Sequence, residues 1–190
     1  MSEGPEGELA VLVDQLLDAH ERRFQGIHQR ARVQAGPTLF GGGRGVEHWT
    51  YAYAHEALED AAADLSRITL NYCPDDMPND RRHGLARMVQ DRFAGFCTRI
   101  NQVLEKDRDG PATNEWGLKP SREALGQVAR AGERHRAALA GSLAQRRMLP
   151  NPRRDRGLFR GLADRVGGSD RLILYVSIGV AAALMLWSFA

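Results

Sequence analysis

The sequence predicts an all-α protein, a cytosolic helical bundle joined to a single C-terminal transmembrane helix. Three observations predict it. Apolar residues recur at spacings of three and four, with no strand-like alternation. Clusters of Gly, Pro and Asp interrupt that pattern. The last 19 residues, 172–190, carry no charge. As a helix they would reach about 28 Å, close to the roughly 30 Å hydrocarbon core of a bilayer. The chain therefore divides into a bundle over 1–149, a basic juxtamembrane segment over 150–171 and an anchor over 172–190.

The first helix is expected over 8–35, where Leu9, Val13, Leu16, His20, Phe24 and Ile27 form one face. The glycines and proline of 36–45 break it. A second helix follows over 46–72, with Trp49, Tyr53, Leu58, Ala61, Leu65 and Ile68 turned inward. The run CPDDMPND stops it, and Asn79 or Asp80 can cap the next. The third helix covers 81–106 and carries the strongest apolar face: Leu85, Val89, Phe93, Phe96, Ile100 and Leu104. After a loop over 107–120, Ser121 caps a fourth helix that runs to 148. Its apolar residues are small or sparse (Ala124, Leu125, Val128, Ala131, Leu139, Leu143) and five arginines crowd the rest. It reads as a surface helix.

Pro150 and Pro152 end that helix. The stretch 157–166 then sets Leu158, Phe159, Leu162 and Val166 against arginines, a pattern that suits the headgroup layer. Arg153, Arg154, Arg156, Arg160, Arg165 and Arg171 precede the anchor and nothing charged follows it. The positive-inside rule places residues 1–171 in the cytosol, and these six arginines at the membrane surface. The acidic start, MSEGPEGELA, has no basic segment leading into an apolar run and does not read as a signal peptide.

Charge is unevenly spread. Residues 1–80 hold 14 acids and 6 bases, whereas 81–171 hold 10 acids and 20 bases. No aromatic-rich strand pattern accompanies the bases, so nucleic acid is not an expected partner. Cys73 and Cys97 are too far apart for a metal-type pair and are expected as reduced thiols. The glycines of GGGRG lack the strand and lysine of a phosphate-binding loop. His48 and His55 share a helical face, and His20 and His28 lie eight apart on the first helix, but no Glu-x-x-His pairing on the second helix supports a bundle metal site. Ordinary surface or capping histidines, no cofactor and no catalysis are expected. The prolines and later glycines also break the continuous heptads that a membrane-fusion helix needs.

Within the second helix, Leu58, Ala62, Ala63, Asp64 and Leu65 stand in ALEDAAADLSR. This resembles the third homology motif of the Bcl-two apoptosis-regulator family. Downstream, 91–110 is similar to the helix before that family's first motif, and Asn114, Trp116 and Gly117 resemble that motif's Asn-Trp-Gly core, with Glu115 inserted. The chain departs from the family where Ala63 replaces an Asp and Leu118 an Arg. The resemblance implies a non-catalytic, tail-anchored regulator that binds partner helices or grooves through Leu58, Ala62, Asp64, Leu65, Trp116 and Gly117. It implies Bcl-two-type protein partners, with a homo-oligomer open to it, at the mitochondrial outer membrane or endoplasmic reticulum. The alternative is a membrane-anchored adaptor or scaffold unrelated to cell death.

Overall fold

The structure, a computed structural model, describes residues 5–34, 44–74, 76–112, 117 and 119–150. Four helices fill these residues: α1 (Pro5–Gln34), α2 (Arg44–Tyr72), α3 (Asn79–Asp109) and α4 (Arg122–Gln145). All belong to one compact unit, Met1–Pro150.

Local chemistry sets the helix ends. Pro5 opens α1, where a missing N–H costs nothing, and Glu6 and Glu8 complement the positive end of the helix dipole. Ser121 caps α4 as expected, its hydroxyl accepting from the Ala124 N–H at 3.1 Å. Neither Asn79 nor Asp80 caps α3. Pro78 holds that position and offers no side-chain bond. At the far end of α4, Arg146 takes the left-handed conformation (φ 54°, ψ 37°) that usually favours Gly, and its N–H closes onto Leu143 and Ser142 carbonyls.

The centre of the bundle is α2, which packs on α1, α3 and α4. Every residue over 60–66 is buried, so this turn has no solvent face. Ala54, Ala57, Ala61 and Ala62 keep it thin enough for three neighbours to approach. Leu58 and Leu65 then interlock with Phe24, Phe93, Phe96 and Ile100 in one apolar cluster. Burying each such side chain stabilises by roughly 1.5–3 kcal/mol. Helix α4 is not the surface helix that its composition suggests. Leu125, Val128, Ala131, Leu139 and Leu143 are all buried, and its small residues let it lie close. At Gly132 an added Cβ would meet Cys97 Cβ and Sγ at 3.4 Å, which fixes how near α3 and α4 come.

Polar pairs also enter the interior. His20 Nε2 lies 3.1 Å from Asp64 Oδ2, and Arg67 reaches the other oxygen at 2.7 Å. His28 is paired with Asp107 and stacks on Phe24 at 5.3 Å. These histidines are buried, not the surface or capping residues expected. A chain of bonds runs from the Leu149 N–H (3.1 Å) to Ser66, on to Ser142 (2.6 Å) and to the Arg147 carbonyl (2.5 Å). It ties the end of the bundle to α2.

The expected membrane architecture requires correction. Among the described residues, no helix is long and apolar enough to cross a membrane. Each of the four is amphipathic and keeps a charged face. The segment 172–190, on which the anchor rested, lies outside the described residues. So do Arg153, Arg154, Arg156, Arg160, Arg165 and Arg171, expected at a membrane surface. The fold is an all-α four-helix bundle. The single C-terminal span, the membrane partner, and the location in the mitochondrial outer membrane or endoplasmic reticulum are withdrawn.

Candidate anion-binding seam

Helix α3 faces two neighbours with the same kind of side chain and different results. Toward α1 its arginines meet acids. Arg81 pairs with Glu6 at 2.9 Å, Arg92 with Asp14, and Arg99 with Glu21 at 2.5 Å, while Asp18 lies 3.9 Å from Arg99. Toward α4 there is no such ladder among the described residues, and two clefts open instead.

The first cleft lies between the start of α3 and the end of α4 and holds about 420 Å³. Arg82, His83, Arg87 and Arg146 line it, with Asn79 and Gln90 as further polar groups and no acid among the described lining residues. Its floor is Ala86, Ala140, Leu143 and Ala144. Two of the arginines are held in place. Arg82 donates to the Met77 carbonyl at 2.8 Å, and Arg146 to the Cys73 carbonyl at 3.2 Å. Beneath lies an inner cavity of about 10 Å³, the size of one water or one ligand oxygen. Arg82, Ala86, Leu143 and Arg146 border both spaces. Thr69 lines the inner one. It is 2% exposed, and its hydroxyl has no partner among the described residues. Cys73 shares this space. Burial pushes its thiol up, and the two arginines pull it down.

The second cleft, about 520 Å³, lies further along α3 and α4. Arg130, Arg134 and Arg136 line it against one acid, Glu133, which already holds Arg136 at 2.9 Å. Cys97 and Asn101 form part of its wall. Burial, with Glu133 adding to it, pushes the Cys97 thiol up to about 12. It is protonated at neutral pH and is no nucleophile. Nearby, His55 and His135 meet edge to face at 4.9 Å. Burial, then the charges of His55 and Arg134, push His135 down to about 4, so its ring is neutral. Among the described residues, no group of three His, Cys, Asp or Glu side chains could hold a metal ion.

The residues singled out in the sequence fall elsewhere. Leu58 and Leu65 are 1% and 0% exposed, and Ala62 is equally enclosed. Asp64 is buried against His20. Gly117 is exposed with φ +66°, and Trp116 lies outside the described residues. The motif thus supplies core packing, with no ridge left for an outside groove. Comparison of the chain with protein-family models, curated proteins and solved structures gives no match. The resemblance to the Bcl-two family is therefore corrected, and with it the regulator function, the Bcl-two-type partners and the tail-anchored adaptor.

Thr69, Arg82, His83, Arg87 and Arg146 do not stand out in the sequence. The basic excess over 81–171 is the one signal there for the three arginines, and nothing marks Thr69 or His83.

Proposed function

We propose that this chain is a non-catalytic helical bundle that binds an anionic ligand along the α3–α4 seam. One observation carries the reading. Among the described residues that line the two clefts, Arg87 and Arg130 have no acidic partner and Glu133 is the one acid, whereas the α1 side of the same helix is neutralised pair by pair. Arginine forks suit carboxylate and phosphate, which they meet with two parallel bonds. Clustered positive charge inside a concave wall also concentrates anions before they dock. No nucleophile or metal enters this reading, and the protonated Cys97 agrees with it.

The test uses the full chain on immobilised poly-L-glutamate. Binding at low salt that falls as salt rises is expected. Arg87→Glu and Arg130→Glu should each elute at distinctly lower salt. Arg22→Glu, an equal charge change at an exposed α1 position, should elute close to the parent. The reading fails if all three shift alike, because net charge and not the seam would then govern retention.

A further inference from the structure

The first cleft has a feature that general charge attraction does not need. An inner cavity of about 10 Å³ lies behind it, and the one hydroxyl on its wall is unpaired among the described residues. Buried hydroxyls almost always find a partner, and a helical Thr has the carbonyl one turn back within easy reach. Thr69 uses neither a carbonyl nor a neighbouring side chain among the described residues. Its surroundings are Leu70, Cys73, Ala86 and Leu143 on the apolar side and Arg82 and Arg146 on the charged side. Both arginines are tethered to loop carbonyls, so their planes are set before any ligand arrives.

We infer that this cleft is a binding site for the phosphate monoester of a small molecule. The inference rests on the reading that the α3–α4 seam takes anions. One phosphate oxygen occupies the inner cavity and accepts the Thr69 hydroxyl proton. The other oxygens face Arg82 and Arg146. The esterified group lies in the outer 420 Å³, over Ala140 and Ala144, where Arg87 supplies further positive charge and the His83 ring a further polar edge. A tetrahedral dianion fits better than a planar carboxylate. It can send one oxygen inward and still present others to two arginines approaching from different elements. The outer volume falls within the range that encloses small ligands.

Titration calorimetry on the full chain tests this with inorganic phosphate and glycerol 3-phosphate as probes. Both should bind, glycerol 3-phosphate more tightly because its carbon chain covers the apolar floor. Thr69→Val keeps the side-chain shape and removes a hydroxyl that has no protein partner at this cavity. It should weaken both probes by about tenfold or more, as losing a hydrogen bond to a charged group does. The melting temperature should hold or rise. Thr69→Ser should restore binding, and Arg87→Gln should weaken it. Phosphate affinity unchanged in Thr69→Val, or lost only in Arg130→Gln in the second cleft, would overturn the inference. If neither probe binds while poly-L-glutamate retention persists, the phosphate site falls and the anionic seam stands. If both are absent, both fall.

Discussion

The two long sides of α3 make an instructive pair. On the α1 side, Arg81, Arg92 and Arg99 each face an acid of the same seam. On the α4 side, Arg82 and Arg87 face a cavity, and the α4 wall adds Arg146 in one cleft and Arg130 and Arg134 in the other. A seam that serves only to hold helices together has no use for concentrated like charge, because the repulsion opposes folding. Closing the first seam with ion pairs and leaving the second basic separates structure from recognition within one helix. The cost is small, since exposed charges are screened, and it falls on the cleft walls, not on the core.

The sharpest way to break the comparison is to remove the core that both seams share. Leu65 is fully buried on α2, which touches all three other helices. Leu65→Ala should destabilise by about 2–5 kcal/mol, read from denaturant unfolding. It should weaken anion binding only as far as the population unfolds. A large binding loss in a still-folded Leu65→Ala protein would mean that the motif helix itself contacts the ligand.

The next effect is specific to the α4 side. His135 is half-buried against His55 and Arg134, and its proton affinity is pushed down to about 4 from 6.5. Between these values the unfolded chain binds a proton that the folded chain refuses. Stability is therefore unaffected above about pH 6.5, falls as the pH drops through the window, and levels off near pH 4. Each pH unit between the two values corresponds to roughly 1.4 kcal/mol, which sets a ceiling of roughly 3–4 kcal/mol on the loss. Solvent screening of a half-exposed ring brings the actual loss below that ceiling. His135→Gln should flatten this acid limb in a series of melts between pH 7 and 4. An unchanged limb would place the acid sensitivity elsewhere.

The sequence made α1 and α3 legible because their apolar stripes repeat cleanly. Val13 and Phe24 on one, and Val89, Phe96 and Leu104 on the other, are buried as their spacing predicts. It misjudged α2 and α4 for a physical reason. Alanine and glycine contribute little hydrophobic signal, yet they decide how closely helices approach, as at Ala61 and Gly132. On α2 seven consecutive residues are buried, Asp60, Asp64 and Ser66 among them, so the polar residues of this stretch do not mark a solvent face. The pairings of His20, which falls on the apolar stripe, and of His28 are invisible in the sequence because their partners, Asp64 and Asp107, lie 44 and 79 residues away. The candidate site is hidden in the same way. Thr69, Arg82 and Arg146 come from the end of α2, the start of α3 and the end of α4, and only packing brings them to one cavity. The basic excess after residue 80 is visible in the sequence, but there it points to a membrane surface.

The smallest effect sharpens the comparison most. Arg99→Gln removes the α1-side partner of Glu21 and the neighbour of Asp18, whereas Arg87→Gln removes charge from the cleft wall. Both arginines are on α3, and both substitutions keep a polar side chain of similar reach. Ion pairs of this exposure are worth about 0–1 kcal/mol, so Arg99→Gln should lower stability by a few tenths to one, and the difference should shrink in high salt. Arg87→Gln relieves repulsion from Arg82 and Arg146 in the same wall. It should leave stability unchanged or slightly raised, with its largest benefit at low salt. The two variants should thus move apart as salt is diluted, one downward and one upward. Equal losses for both would show that the α4 side is held together electrostatically just as the α1 side is, and the division between a structural seam and a binding seam would not survive.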